Sequence, residues 1–142
     1  MMEIKSILVP TNGGGADEEV IKLACSLARR SKAKVYAVYI IEVERSLSLD
    51  TQVDSDTKKA EKILTQAEDA AADADYEIET DLLQARDAGP AIVNEAVERG
   101  VDLIIMATTY EKAHGVPELG KVVYYVLKEA PCRVLVYRDS IS

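Results

Sequence analysis

Several places along the chain carry residues whose types and spacing could do chemistry. The glycine cluster Asn12-Gly13-Gly14-Gly15-Ala16-Asp17 comes first. Consecutive glycines let backbone amides converge on an anion, as a phosphate loop does. A Walker-type loop then needs Gly-Lys-Ser/Thr, which brings an ammonium to phosphate and a hydroxyl to magnesium. Neither follows here, and Asp17, Glu18 and Glu19 would repel a phosphate at that helix start. The cluster therefore reads as a flexible turn joining a strand to a helix. Gly120-Lys121 is a different case, because amides at a helix start together with an ammonium can hold an anion. His114, between Glu111 and Glu118, has no second histidine or cysteine nearby to complete a metal site. It also has no nucleophile at a defined spacing, so it reads as a solvated loop residue. Cys25 and Cys132 lack the paired spacing of metal ligands and read as two buried thiols.

These residues need elements to hold them, and apolar periodicity supplies the elements. A strand spans 4–9 and is closed by Pro10. A helix follows over 16–30, with Val20, Leu23, Ala24, Leu27 and Ala28 facing inward. Strand 34–41 leads into a polar loop, 42–56, where Leu47 and Leu49 either pack down or meet a partner. Helix 57–74 buries Ala60, Ile63, Leu64, Ala67 and Ala71, and strand 76–84 comes next. Ala88-Gly89-Pro90 opens a helix that turns Ile92, Val93, Ala96 and Val97 inward and ends at Gly100. Val101-Asp102-Leu103-Ile104-Ile105-Met106-Ala107 is nearly unbroken apolar, which suits a strand covered on both faces. An irregular loop over 108–118 follows its carboxyl end, the place where open α/β sheets usually bind ligands. Leu119, Val122, Val123, Val126 and Leu127 then mark one helical face, stopped at Glu129-Ala130-Pro131. Tyr124 and Tyr125 on that helix point about 100° apart, so one is available to an interface. Strand 132–137 closes the chain. Alternation of this kind predicts an α/β domain over 1–142, with a parallel sheet and helices on both faces.

Composition narrows the function classes. At 142 residues, with 48% hydrophobic and 30% charged residues, the chain suits one soluble domain with a real core. Phe and Trp are absent, so the core is built from Val, Ile, Leu and Ala, with Tyr as the aromatic mass. No apolar run approaches the ~20 residues of a membrane span. Met1-Met2-Glu3-Ile4-Lys5 enters a strand without the regions of a signal peptide, so a cytoplasmic location is expected. A net charge of −8 disfavours nucleic acid and anionic membranes as partners. It leaves a nucleotide open, since local amides matter more there.

The segments Ile7-Leu8-Val9-Pro10, Gly89-Pro90-Ala91-Ile92, Asp102-Leu103-Ile104-Ile105-Met106, Val126-Leu127 and Ala130-Pro131-Cys132-Arg133-Val134-Leu135-Val136, with Gly120 between them, resemble the universal stress protein family across essentially the whole chain. The resemblance implies a five-stranded parallel sheet in the order 3-2-1-4-5, the adenine nucleotide alpha hydrolase-like arrangement. Its switch point lies between the first and fourth strands. That arrangement sets Pro10, Thr11 and Asn12 beside Met106, Ala107 and Thr108. The ATP-binding branch of the family carries Gly-x2-Gly-x9-Gly-Ser/Thr after the fourth strand. Counted from Met106, those places hold Ala107, Tyr110, Gly120 and Lys121. The spacing is intact, but two glycines have gained side chains and the hydroxyl residue is lysine. The aspartate that holds the adenosine end in that branch is Asn12 here, a weaker acceptor than a carboxylate. Ile40 and Met106 match the apolar positions flanking adenine. The binding set implied by resemblance is Pro10, Thr11, Asn12, Ile40, Met106, Ala107, Thr108, Gly120, Lys121 and Val122.

The function implied is that of a cytoplasmic binding or signalling module. No residue set supplies a base, a nucleophile and a metal ligand together, so no enzyme is expected. ATP or another adenine nucleotide is the implied ligand, bound weakly or not at all. Ala107 and Tyr110 stand where backbone amides should approach phosphates. One alternative is a true ATP or AMP binder that uses Lys121 in place of the glycine loop. Another is a regulatory partner of a membrane transporter. Residues 132–137 end the β-α alternation, so they form an edge strand that is apolar and free of internal proline. Antiparallel pairing with a second copy would cover that edge, so a homodimer through 132–137 is expected.

Overall fold

The computed structural model describes residues 3–108, 111–113, 116–118 and 120–138; Tyr110, His114 and Leu119 lie outside them. The elements run β1 (Ser6–Thr11), α1 (Asp17–Arg29), β2 (Lys34–Glu42), α2 (Asp54–Asp73), β3 (Glu79–Ala85), α3 (Ala88–Arg99), β4 (Leu103–Thr108), β5 (Glu111–Ala113), β6 (Val116–Glu118), α4 (Lys121–Glu129) and β7 (Arg133–Arg138). The main sheet has five parallel strands in the order β3-β2-β1-β4-β7. That is the 3-2-1-4-5 order the resemblance implies, with β7 as the fifth strand and at an edge.

Each face of the sheet has its own core. Val20, Ile21, Ala24, Cys25 and Ala28 of α1 and Ala67, Ala70 and Ala71 of α2 pack on one face, against Ile7, Val9, Val35, Ala37, Leu103 and Ile105. Ile92 and Ala96 of α3 and Val123 and Val126 of α4 cover the other face, against Leu8, Val38, Ile104 and Met106. Alternate residues of β1 and β4 thus enter opposite cores, as a strand period of two requires. Ile7, Leu8, Ile104 and Ile105 are fully buried.

The two central strands are locked together at one end only. The Asp102 carboxylate accepts from the Lys5 and Ser6 amides at 2.7 and 3.1 Å. Ile7 then pairs with Leu103, and Leu8 with Ile104. Beyond Leu8 the ladder between β1 and β4 ends, while β1 stays with β2 as far as Thr11 opposite Tyr39. β4 stays with β7 as far as Thr108 opposite Arg138.

Several sequence expectations need correction. Pro10 does not end β1, which continues to Thr11. A proline fits there because one flank of the strand has already lost its partner. Residues 108–118 are not irregular throughout, since Glu111–Ala113 and Val116–Glu118 pair as antiparallel strands. Backbone pairing of three-residue strands needs no apolar pattern, so periodicity could not reveal it. Val97 and Leu127 are 59% and 45% exposed, not inward, and Leu27 is partly exposed. α3 and α4 each use a narrow stripe, filled by Ile92 and Ala96 and by Val123 and Val126. Cys25 is buried as expected, whereas Cys132 is only half-buried.

One glycine marks a close approach between helices. A Cβ built at Gly89 would lie 2.9–3.1 Å from Tyr125 side-chain atoms. Gly89→Ala should therefore destabilise the fold by about 1–3 kcal/mol through overpacking. Gly15→Ala meets open space and should stay within about 0.5 kcal/mol. Urea unfolding of both variants checks this pair.

Candidate functional site

The parting of β1 from β4 leaves a cleft of about 370 Å³ at the carboxyl ends of the central strands. Its walls come from β1, β2, β4 and the first turns of α3 and α4. All ten residues of the expected binding set line it: Pro10, Thr11, Asn12, Ile40, Met106, Ala107, Thr108, Gly120, Lys121 and Val122. Val38, Tyr39, Glu42, Ala88, Ile92 and Val123 line it as well. The sequence signal for Val38 and Tyr39 was available in principle, since parallel register sets them opposite Pro10 and Thr11. Nothing in a single sequence placed Glu42 or the start of α3 there.

The floor of the cleft is apolar. Met106 is buried in the core beneath α3 and α4, where Ile40 and Val122 pack partly against it. Ala107 packs towards the α1 and α2 side. Its methyl therefore leaves the face that Met106 occupies, and it obstructs the cleft less than a side chain on the Met106 face would. Tyr110, the other lost glycine, lies outside the described residues. Thr11 is buried and donates its hydroxyl to the Val38 carbonyl at 3.1 Å, which ties the end of β1 to β2.

Two helix starts face the cleft, and their electrostatics differ from those of the other helices. α1 carries Asp17, Glu18 and Glu19 in its first turn, and α2 carries Asp54 and Asp56. α3 and α4 carry no acid in theirs. The positive ends of their dipoles are thus not offset by acids of their own first turns. Gly120 caps α4 with φ of 90°, a conformation that favours glycine, and offers no side-chain cap. Lys121 is exposed and makes no ion pair among the described residues. Amides at the α4 start, with that ammonium, could receive an anion. Glu42 on the same lining opposes one.

The glycine turn beside the cleft is closed by its own side chains. The Asp17 carboxylate accepts from Asn12 N–H at 3.3 Å and Gly13 N–H at 2.8 Å. Asn12 Oδ1 accepts from Gly14 N–H at 2.7 Å. These amides are therefore committed within the chain, and the turn is stitched where a flexible one was expected. Gly13 adopts φ of +81° over Ile63 of α2. Burial raises the Asp17 carboxyl above the 3.8 of an ordinary aspartate, against the lowering by its bonds to Gly13 and Asn12.

Parallel strands with helices on both faces and a ligand-sized cleft at the switch point define an α/β protein with a nucleotide-binding-like fold. A profile of the universal stress protein family matches residues 3–138. A universal stress protein of Methanocaldococcus jannaschii is 31% identical over 140 residues, spanning 94% of this chain and 82% of its own length. The chain belongs to the universal stress protein family. Among solved structures, a universal stress protein from Archaeoglobus fulgidus in complex with dAMP matches with a TM-score of 0.74 at 21% identity, covering 96% of this chain and 98% of that one. A universal stress protein in complex with cAMP matches with a TM-score of 0.75 at 20% identity, covering 98% and 100%. Both likenesses speak for the fold.

Asp17→Ala should release the Asn12 and Gly13 amides. Their hydrogen exchange should speed up by about tenfold, the equivalent of one net hydrogen bond. Global stability should change by less than about 1 kcal/mol, because the lost bonds and the relieved burial offset each other. The sign of the pH effect follows from the raised carboxyl. The folded state takes up the proton before the unfolded state does, so ionised Asp17 weighs against folding above its folded pKa. The stability difference should therefore move in favour of the unaltered chain as pH falls through that pKa towards 3.8. Exchange by NMR and urea unfolding at stepped pH read both effects.

Proposed function

We propose that this universal stress protein is a cytoplasmic binding or signalling module without catalysis, and that its cleft takes the adenosine end of an adenine nucleotide while binding ATP weakly. The observation that carries this reading is convergence. Ten residues from well-separated stretches line a single cleft with an apolar floor, beside two helices whose first turns hold no acid. The relatives solved in complex with dAMP and cAMP lend support. Adenine would rest against Ile40, Met106 and Val122. Phosphate would meet the start of α4 and Lys121.

Weakness follows from what the cleft offers. Asn12 supplies no charge, and its amide oxygen already serves Gly14. Glu42 stands on the same lining. Losing two or three contacts of about 1.4 kcal/mol each lowers affinity by a factor of about 100 to 1,000. Titration calorimetry with ATP and magnesium should therefore give a dissociation constant nearer millimolar than micromolar. Lys121 in the cleft favours a second reading, a site repaired by direct charge. Micromolar binding that disappears in Lys121→Ala would establish that reading instead.

We also propose that the working form is a homodimer through residues 132–137. β7 is an edge strand whose Val134, Leu135, Val136 and Tyr137 are only partly buried. Antiparallel pairing of two such edges would cover both of them. Val136→Lys should weaken the dimer by at least about tenfold. Ultracentrifugation at micromolar concentration measures it, and a monomeric unaltered chain would refute the proposal.

A further inference from the structure

The loop between β2 and α2 is built to display apolar side chains. Leu47, Leu49 and Val53 are 39%, 47% and 41% exposed, yet the backbone beneath them is firmly held. Gln84 Nε2 donates to the Leu49 and Thr51 carbonyls at 2.8 and 2.7 Å. Arg86 donates to the Val43 and Glu44 carbonyls, and Val43 N–H donates to the Ala85 carbonyl at 2.8 Å. Leu47 N–H to the Glu44 carbonyl and Thr51 N–H to the Ser48 carbonyl close two turns within the loop. Two side chains of β3 and its following turn thus anchor the segment, and its large apolar residues stay partly exposed.

Leu47 and Val53, with Ile41 and Val43, line a groove of about 300 Å³. Every charged residue of its lining is an acid: Glu42, Glu44 and Asp56. Asp50 stands nearby, and the Ser48 hydroxyl holds its carboxyl below the usual range, so it stays ionised. Arg45, the base within the loop, is directed to Asp87 of the β3–α3 turn at 3.9 Å.

From this geometry we infer that the groove is a docking site for a segment of another protein in which lysines or arginines flank a leucine-sized apolar anchor. Charge decides the occupant. A second copy in a two-fold contact would set acid against acid. An anionic lipid surface or a nucleic acid would be repelled by the same acids. A basic segment with an apolar anchor satisfies the exposed leucines and the acidic rim together. Glu42 lines both this groove and the nucleotide-sized cleft, so the two cavities share a wall.

The test uses a short fluorescein-labelled peptide of lysine and leucine, with a second peptide carrying serine in place of leucine. Anisotropy should show saturable binding of the first and at least about tenfold weaker binding of the second. Chemical-shift changes on the unaltered protein should centre on residues 41–56. The paired change Leu47→Ser with Val53→Ser should weaken binding by at least about tenfold, as should Glu44→Lys with Asp56→Lys. Asp69→Lys with Asp73→Lys alters net charge equally on a different surface and should change binding less than about twofold. Equal weakening by that remote pair, equal binding of the serine peptide, absence of binding, or shifts centred outside 41–56 would each overturn the inference. The shift map requires no variant, so it decides the matter even if a substituted protein fails to fold.

Discussion

Strand β1 cannot follow both of its neighbours to the end of the sheet. Asp102 gathers the amides of Lys5 and Ser6 and fixes β1 to β4 at the start. Two residue pairs later the strands part. Sheet twist accumulates between neighbours, and helices that follow β1 and β4 cross to opposite faces. No helix therefore fills the space above the parting. The cleft, the position of Pro10 in a central strand and the exposed ends of α3 and α4 all follow from that divergence.

The same topology sorts charge. α1 and α2 carry acids at their first turns, and the glycine turn before α1 is occupied by Asp17 and Asn12. The first turns of α3 and α4, which open on the cleft, hold no acid, although Asp87 stands at the N-cap of α3. An anion approaching the carboxyl end of the sheet thus finds one receptive side and one closed side. Consecutive glycines make the closed side look like the phosphate site. The receptive side has only Gly120 and Lys121 to advertise it.

Much of this was legible in the sequence, for reasons that differ by residue. Buried runs such as Leu103-Ile104-Ile105-Met106 announce a strand covered on both faces, and β-α alternation dictates parallel pairing. The candidate site emerged from resemblance, because ten residues so far apart have no local signature. What stayed hidden was tertiary. Asp17 belongs to the first turn of α1 by sequence, and only the folded turn shows its carboxylate reaching back to Asn12 and Gly13. Val97 and Leu127 obey helical spacing, but their helices bury a narrower stripe than spacing suggests. Glu42 ends a strand unremarkably until the fold turns it into a wall shared by two cavities.

The central claim is that the gap between β1 and β4 is the nucleotide site and the glycine turn is not. A titration of the isotope-labelled protein with AMP, followed by backbone amide shifts, tests it directly. The account predicts saturable shifts at Thr11, Asn12, Ile40, Ala107, Gly120, Lys121 and Val122, with Gly14, Gly15 and Glu18 left nearly still. Shifts centred on Gly14, Gly15 and Glu18, or none at millimolar AMP, would contradict it.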